Sequence, residues 1–378
     1  MPNLEQHLQS TSANFININA HRKLYTNHYG KLRDTLYSTL QQENPLGKWL
    51  CGHKLGGSYA DKLKVTKPDE FDLVIHLKFP ENDRIVVRRD CAKPEDKLQD
   101  MIKGTVTRAL NKMENKIEVD GKTAKLVYKR CGPAHTIFIN ESDMKYSVDF
   151  VPAIKLNVKQ IVLGQQKLKY FKNIMYWSAI PKPLKPFEPN NVSFRASYYE
   201  AEYAMIKDKY KLKDVIKFMK KFRDSKQNIS TLKSYYIKTL LIWQIDARPT
   251  TYWKTQQLNK ILIDMFRELA NCLVVSGKNG KLPLFWDPHL DLFAALTRNQ
   301  RNDMLNCVTA EIDTLCLAAR SLTDDISQAV TLAFSNRQER LIKNEEQSMH
   351  AIKLNPKAEL MSPPVPSENQ AKSQPEKE

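Results

Sequence analysis

Two acidic residues, Glu70 and Asp72, follow a Gly56-Gly57-Ser58 turn at a spacing that suits phosphate chemistry. Every second residue from Phe71 to Phe79 is apolar, so both carboxylates project from one face of a half-buried strand. Paired acids raise each other's pKa unless a cation lies between them, and Mg²⁺ with bound phosphate suits such a pair. The glycines let backbone N–H groups approach a triphosphate, and Ser58 adds a hydroxyl. The pattern predicts a magnesium–phosphate site; the alternative is a surface Glu-x-Asp pair without a ligand.

A third acid, Asp149, lies in the apolar segment Tyr146–Pro152, which alternates like a strand and is expected to end at Pro152. An unpaired charge in such a strand is costly, so Asp149 either pairs with a lysine or joins Glu70 and Asp72. Three carboxylates on neighbouring strands could hold two Mg²⁺ ions about 3.5–4 Å apart, the arrangement of two-metal phosphoryl transfer. Asp149 would then take the proton of an attacking ribose hydroxyl.

The elements that must position these acids follow from periodicity and turn residues. We expect a first helix from Leu4 or Asn14 to Gln42, a strand hairpin through Val87, and a Pro-rich linker at 180–186. Between the hairpin and the linker the pattern predicts one helix at 94–113 and strands near 116–130, 135–140 and 145–151. Beyond the linker it predicts helices at 197–209, 212–224, 230–244, 254–276, 289–318 and 323–346, then a disordered tail from Asn355. The predicted class is α+β, with a mixed-sheet core lobe and a helical C-terminal lobe.

In their order along the chain, these motifs resemble the nucleotidyltransferase superfamily, and the fuller strings resemble its cyclic GMP-AMP synthase group. The strings are Gly57-Ser58-Tyr59, Asp69–Leu73, Ser147–Pro152, Phe194–Glu202, Phe218-Met219-Lys220 and Ser234–Thr239. The resemblance spans roughly 24–322 and implies a bilobal nucleotidyltransferase fold. It places a core with a long N-terminal helix at 1–180, a helical lobe completing the nucleotide pocket at 181–346 and a disordered tail at 347–378.

The resemblance also assigns roles to single residues. It makes Glu70, Asp72 and Asp149 the catalytic and metal-binding acids, with Mg²⁺ or Mn²⁺ as the metal. It implies that the nucleotides are bound by Gly57, Ser58, Arg195, Ser197, Glu202, Lys220, Ser234, Tyr235 and Lys238, with Tyr235 stacking on a base. Structural alternatives stay open for three of them. Tyr235 fits the spacing of a core aromatic, Lys220 could be one solvated lysine of a helix, and Arg195 could anchor the two lobes.

The chain departs from the vertebrate enzyme in one element, because the segment 202–220 holds no His or Cys where that enzyme has a zinc-binding insertion. None of the six cysteines forms a Cys-x-x-Cys pair, so we expect no zinc. The sequence is similar in this respect to the insect receptors that lack the insertion and respond to double-stranded RNA.

An excess of positive charge points to a polyanionic partner, since 59 Lys and Arg against 42 Asp and Glu give a net charge of +17. We expect RNA contacts at Arg22 and Lys31 on the first helix and at Lys209, Lys211 and Lys213 in a lysine-rich segment. The alternative is an ordinary solvated helix face. RNA would be recognised by shape and backbone, because the deep major groove of A-form RNA hides the base edges. Assembly of several copies on RNA is compatible with this arrangement.

The rest of the sequence bears on the compartment. No apolar run of eighteen residues predicts a membrane span, the polar start argues against a signal peptide, and the cysteine spacing suggests the reducing cytoplasm.

Together the resemblance and the positive charge favour an RNA-activated synthase; the resemblance implies that it makes cyclic GMP-AMP from ATP and GTP and is an innate immune sensor signalling through a STING-type receptor. For the linkage, the resemblance to insect receptors favours 3′,2′. The alternatives are a template-independent RNA terminal nucleotidyltransferase and a catalytically silent RNA-binding relative.

Overall fold

The structure, a computed structural model, describes residues 3–13, 19–65, 69–85, 97–131, 134–141, 144–183, 192–274, 280–320 and 334. These residues belong to one compact unit that ends at Phe334. The tail predicted at 347–378, the helix predicted at 323–346 apart from Phe334, and the end of the hairpin near Val87 lie outside them. The lobe boundary at 180 stays a prediction.

A single mixed sheet forms the first half of the fold. Within the described ranges its eight strands are β1 (Leu50–Gly56), β2 (Glu70–Leu77), β3 (Lys116–Val119), β4 (Lys122–Cys131), β5 (Ala134–Asn140), β6 (Lys145–Asn157), β7 (Tyr176–Pro183) and β8 (Val192–Ser197). The strand order is β1-β2-β6-β5-β4-β3, and β7 pairs with both β6 and β8. Neighbouring strands are antiparallel except β2 and β6, which run parallel.

The strand predicted after the Gly-Gly-Ser turn is confirmed as β2. Phe71, Leu73, Ile75 and Leu77 are all buried, whereas Glu70 at the start of the strand is exposed. The apolar parity therefore faces the core and leaves the acidic parity on the opposite face of the sheet.

The prediction that Pro152 ends its strand was wrong, because β6 continues to Asn157. The register of β5 stops at Phe150 and that of β7 starts at Ile154, so Pro152 lies between the two partners on that side. A proline lacks an N–H to donate, and it is tolerated in a strand where no partner strand accepts one. The long β6 thereby joins the sheet that carries the acids to β7 and β8.

The prediction of a linker at 180–186 was also wrong in its first half. Residues 180–183 are the end of β7 and pair with β8. The pairing of β7 with β6 covers only Tyr176 to Ala179, so the two prolines of this segment lie on an edge, where the missing N–H removes no bond. Residues 184–186 are outside the described part.

The helices cover the sheet and build the second half of the fold. Those of the described residues are α1 (Leu4–Thr11), α2 (Asn19–Gln41), α3 (Leu46–Trp49), α4 (Gly57–Ala60), α5 (Lys97–Lys112), α6 (Gln165–Leu168), α7 (Tyr199–Ile206), α8 (Tyr210–Ser225), α9 (Ser234–Ala247), α10 (Thr250–Thr255), α11 (Leu258–Leu273) and α12 (Arg298–Arg320). The helix predicted at 254–276 is two helices, because Gln256 and Gln257 have extended backbones. The helix predicted from 289 begins only at Arg298.

Two hydrophobic cores hold the elements in place. One lies between the sheet, α2 and α5, where Leu32, Leu36 and Leu40 recur at helical spacing and pack with Phe71. The other core contains α1 and the helices of the second half, together with the C-terminal part of β6 and the N-terminal part of β7. Each fully buried large side chain contributes about 1.5–3 kcal/mol relative to exposure. The acids of β2 lie on the face of the sheet opposite the core residues of that strand.

Candidate active site

The parallel pairing of β2 and β6 brings together two of the predicted acids. Asp72 and Asp149 are direct cross-strand neighbours, and Glu70 lies opposite Ser147. Residues of equal register on adjacent strands project from the same face, so both carboxylates point to one side of the sheet. Both aspartates are half-buried.

Electrostatic repulsion in this pair is only partly offset among the described residues, since Lys64 acts to lower the pKa of Asp72. Burial, with Glu70 and Asp149 adding to it, raises the pKa of Asp72 to about 6. Burial also raises the pKa of Asp149, and the charge of Glu70 acts in the same direction. Groups perturbed both by burial and by like charges are characteristic of sites that bind cations or move protons.

Thr136 on β5 holds Asp149 from the opposite side. It is the antiparallel neighbour of Asp149, it is buried, and its hydroxyl donates to Asp149 Oδ1 at 2.5 Å. This hydrogen bond favours the ionised carboxylate and counteracts the effect of burial. Sequence reasoning missed Thr136, because the alternation of β5 does not reveal which strand lies beside it.

Gly57 borders Asp72 directly. Its φ of +63° is in the left-handed region, and a Cβ at this position would lie 1.7 Å from Asp72 Oδ2. Only glycine fits both constraints, since it has no Cβ and adopts positive φ readily. Gly57 begins α4, and Ser58 follows in its first turn, so the Gly-Gly-Ser turn does reach the acids.

Glu70 is turned to a cation of the protein itself. Lys64 Nζ lies 3.0 Å from Glu70 Oε2 and 3.4 Å from Asp69 Oδ1. Among the described residues, no three His, Cys, Asp or Glu side chains are gathered in an arrangement able to hold a metal ion. The side chain of Glu70 is 56% exposed, so rotation away from Lys64 is unobstructed by packing. The donor set of carboxylate oxygens fits Mg²⁺ or Mn²⁺, with Asp72 and Asp149 already adjacent.

The predicted nucleotide-binding residues of the second half lie on β8, α7, α8 and α9. Arg195 is exposed and its guanidinium lies 4.9 Å from the centroid of the Tyr235 ring. Ser234 accepts a 2.7 Å hydrogen bond from Arg223, and Ser197 pairs with Ser178. Tyr235 and Tyr236 are both half-buried, and Tyr236 packs edge-on against Phe293.

Lys220 reaches from α8 to the segment between α4 and β2. It is 5% exposed, and its ammonium donates to the Leu63 carbonyl at 2.8 Å. Burial is the main cause that lowers its pKa to about 8, with Arg223 and Lys64 adding to it. The alternative that Lys220 is a solvated lysine is therefore wrong.

Lys238 and Glu202, also predicted to bind nucleotides, form an ion triad with Asp61 in which both acids are buried. Lys238 Nζ lies 2.9 Å from Asp61 Oδ2 and 2.9 Å from Glu202 Oε2. Although burial acts to lower it, the pKa of Lys238 is raised, because Glu202 and Asp61 flank the ammonium. Sequence reasoning missed Asp61, which ends α4.

Comparison with known proteins bears on this arrangement. The model of the Mab-21 protein nucleotidyltransferase domain matches residues 59–94 and 93–208, and that of the Mab-21 protein HhH/H2TH-like domain matches residues 211–310. A Drosophila simulans protein named cyclic GMP-AMP synthase-like receptor 1 is 44% identical over 80% of this chain and 86% of its own. The Drosophila erecta protein of that name is 39% identical over 96% and 90%, and a Lucilia cuprina cyclic GMP-AMP synthase-like receptor is 37% identical over 88% and 97%. The chain belongs to the cyclic GMP-AMP synthase-like receptor family.

Membership of the cyclic GMP-AMP synthase-like receptor family confirms the predicted resemblance and the α+β fold, a nucleotidyltransferase domain followed by a helical domain. It establishes a nucleotidyltransferase of that family. The assignments of single residues to metal, nucleotide and RNA stay predictions. Among the described residues, no helix is both long and apolar enough to cross a membrane.

The lysines predicted to bind RNA in this family member differ in exposure. Lys213 is buried and donates to the Lys207 carbonyl at 2.8 Å, and Lys209 donates to the Met205 carbonyl at 2.6 Å. Lys211 is partly exposed and donates to the Gln256 carbonyl at 2.6 Å. Burial lowers the pKa of both Lys209 and Lys213. The lysine side chains of this segment are thus less exposed to solvent than its composition predicts.

The cations predicted on the first helix border open space. Lys31 is exposed and lines a groove of about 650 Å³ between α2 and the β3–β4 hairpin. Arg22 lines a cavity of about 350 Å³ whose wall also includes Lys54, Tyr199 and Tyr203. Both cations on α2 are therefore placed where a polyanion can reach them.

Proposed function

We propose that this chain is a double-stranded-RNA-activated synthase that joins ATP and GTP into cyclic GMP-AMP. The observation that carries the proposal is the pair of half-buried aspartates, Asp72 and Asp149, with raised pKa values beside the cradle made by Gly57. The names of the relatives support the product class. As in the resemblance noted from the sequence, the product would signal through a STING-type receptor.

The proposed chemistry is nucleotidyl transfer from one nucleotide to a ribose hydroxyl of the other. Mg²⁺ or Mn²⁺ held by Asp72, Asp149 and a rotated Glu70 would supply charge neutralisation at the phosphates and activation of the hydroxyl. Thr136 holds Asp149 by Oδ1, and Oδ2 would accept the hydroxyl proton. Ser58 would bind the donor phosphates from α4, and Gly57 allows that approach.

The second half of the pocket would orient the two nucleotides. Lys220 and Ser234 would contact the donor, while Arg195 and Ser197 would contact the acceptor. Glu202, predicted with them, is bonded to Lys238 and Trp286 instead. The Tyr235 ring would stack on a base, which tolerates either purine because every base has a π-face. Orientation of this kind raises the rate by bringing the reacting atoms into contact before reaction.

A product assay tests the proposal against its alternatives. Purified protein is incubated with ATP, GTP, Mg²⁺ and long duplex RNA, and the products are identified by mass spectrometry. Cyclic GMP-AMP formed only with RNA is the expected result. Lengthened RNA would instead indicate a terminal nucleotidyltransferase, and no product with RNA or DNA would indicate a silent RNA-binding relative.

The linkage is decided by which ribose hydroxyl attacks first. Resemblance to the insect receptors supports the 3′,2′ isomer. Digestion with a nuclease specific for 3′–5′ bonds, followed by comparison with synthetic standards, separates the isomers. A product with two 3′–5′ bonds would contradict the proposal for the linkage and leave the synthase activity intact.

RNA binding is tested best at Lys31, which is exposed, together with Lys211, which is partly exposed. The double variant Lys31→Glu/Lys211→Glu should weaken duplex binding and flatten the plot of log affinity against log salt. If the B-DNA value holds, the slope changes by about 0.9 for each phosphate that the variant no longer neutralises. Lys260→Glu is the matched control, since that lysine is exposed on α11 and pairs with Asp264. Equal salt slopes for the double variant and the wild type would show that RNA binds elsewhere.

A further inference from the structure

In the triad of Asp61, Lys238 and Glu202, each carboxylate oxygen has a hydrogen-bond or ion-pair partner within the protein. Asp61 Oδ1 accepts from the Tyr199 hydroxyl at 3.0 Å, and Asp61 Oδ2 accepts from Lys238. Glu202 Oε1 accepts from the Trp286 indole at 2.9 Å and from the Tyr235 hydroxyl at 3.3 Å. All four carboxylate oxygens of the triad therefore have partners in the protein.

Burial makes this network rigid. Asp61 is 2% exposed and Glu202 is 6% exposed, so neither acid can exchange its partner for water without opening the packing. A buried acid left without its cation is strongly unfavourable, which opposes any movement of Lys238 out of the triad. A nucleotide phosphate would have to compete with two carboxylates for one ammonium that already bonds to both.

Each member of the triad belongs to an element that carries predicted nucleotide residues. Asp61 caps α4, and its N–H donates to the Gly57 carbonyl at 3.2 Å, one helical turn back. Lys238 lies on α9 one turn after Ser234 and three residues after Tyr235. Glu202 lies on α7, directly after β8 with its predicted acceptor residues. The triad thus ties the phosphate turn to the base-stacking ring and the acceptor strand.

We propose that Asp61 and Lys238 are positioning residues that set the separation between the Gly57–Ser58 turn and the Ser234–Tyr235 turn, and that Lys238 makes no direct contact with the donor nucleotide. The inference rests on the proposed function. Displacing a substrate-orienting group by about 1 Å can cost about a hundredfold in rate. Loss of the triad should therefore slow the chemistry of bound nucleotides and leave their binding nearly unchanged.

A double-mutant cycle tests this. The variants are Asp61→Asn, Lys238→Met and their combination, with Tyr199→Phe as a mild variant that removes only one hydrogen bond to Asp61. For each, kcat is measured per ATP-binding site, with the sites counted by titration with a non-hydrolysable ATP analogue. Lys260→Met is the control, because it also removes a lysine from an acid, on the surface of α11.

We expect each single variant to lower kcat per site by about tenfold to a hundredfold, with the Kd of the analogue within about threefold of the wild type. The combined variant should be no slower than the slower single variant, because both substitutions break one unit. Tyr199→Phe should shift kcat in the same direction by a smaller factor. Lys260→Met should match the wild type.

Two results would overturn the inference while the wild type remains active. A tenfold or larger increase in Kd with Lys238→Met, together with normal binding by Asp61→Asn, would make Lys238 a direct nucleotide contact. Fewer ATP-binding sites with normal kcat per site in every triad variant, Tyr199→Phe included, would make the triad merely structural. If the wild-type chain turns over no nucleotide, the proposed function fails and the inference with it.

Discussion

Two clusters of acids lie close to α4 and differ in how their charge is compensated. At the sheet, Asp72 and Asp149 are cross-strand neighbours whose charge Lys64 only partly offsets, and their pKa values are raised. At the other end of α4, Asp61 shares Lys238 with Glu202, and the pKa of that lysine is raised instead. The first cluster is suited to bind a cation or a proton from solution, since either one relieves its repulsion. The second already holds its counter-ion.

The difference separates residues that act on a ligand from residues that hold the pocket in shape. Acids without a cation lower stability in the unliganded protein and are retained where binding or catalysis requires them. Acids paired in the interior fix the geometry, and they are costly to disrupt. The contrast also explains why the resemblance alone does not distinguish Lys238 from Lys220. Both are lysines of the helical half, but Lys220 is bonded to a backbone carbonyl, whereas Lys238 is held between two acids.

The largest effect is expected at the predicted metal-binding acids of β2. Glu70→Ala/Asp72→Ala should reduce product formation by about a thousandfold or more, because binding of the metals contributes several kcal/mol and each 1.36 kcal/mol is tenfold. RNA affinity should stay nearly unchanged, and the thermal midpoint should be equal or higher, since repulsion is removed. The control Asp83→Ala/Glu118→Ala removes two exposed acids elsewhere. Substantial activity in the first variant would refute the metal assignment.

Loss of a charge should change the free energy of unfolding in opposite directions in the two clusters. Lys238→Met should lower the free energy of unfolding by about 3–5 kcal/mol, because it leaves two acids buried without their cation. Asp72→Asn should leave that free energy unchanged or raise it, because it removes a repelled charge. Urea unfolding followed by circular dichroism measures both. Similar destabilisation by the two substitutions would remove the distinction between the clusters.

A third kind of acid sharpens the comparison, because Glu311 on α12 is buried and its Oε1 has no hydrogen-bond partner among the described residues. Burial raises its pKa from 4.5 to about 7, with Lys226 opposing. The folded state therefore binds this proton more tightly than the unfolded state, and stability falls as pH rises from about 4.5 through about 7. The loss is about 3 kcal/mol at 1.36 kcal/mol per unit.

Glu311→Gln should abolish that dependence and make the protein more stable than the wild type at pH values above the shifted pKa. Denaturation in urea on either side of neutrality measures the difference. Glu268→Gln, which removes a partly exposed acid paired with Arg248, is the control and should keep the wild-type dependence. An unchanged pH dependence in Glu311→Gln would show that Glu311 is not its source.

The smallest effect is expected at Thr136, which supports Asp149 from a neighbouring strand. Thr136→Val should reduce kcat by about tenfold, because a hydrogen bond to a charged group contributes about 1.5–3 kcal/mol. It should also raise the Mg²⁺ concentration for half-maximal activity, since Asp149 is then free to rotate. Thr136→Ser keeps the hydroxyl and should behave as the wild type. Equal activity of the valine and serine variants would show that the hydrogen bond has no role.

Much of the site was predictable because its signals are local. The alternation from Phe71 to Phe79 determines that Glu70 and Asp72 share a face, and the adjacency of two glycines determines a turn that admits close contact. The lysine-rich composition of 207–226 was misleading, since buried helix positions bond the ammonium groups of Lys213 and Lys220 to backbone carbonyls. Composition counts charges but does not show which way a helix is turned.

By itself, the sequence determined the family, the α+β class, the acidic face of β2 and the positive charge that favours a polyanion. Only the tertiary structure decided that Asp149 lies beside Asp72, that Thr136 restrains it, and that Asp61 pairs with Lys238. The physical reason is the separation along the chain of the residues that each signal involves. Periodicity reports which side of one element a residue occupies, whereas the pairing of β2 with β6 and the neutralisation of a buried charge depend on residues far apart in the chain, brought together when the two cores form.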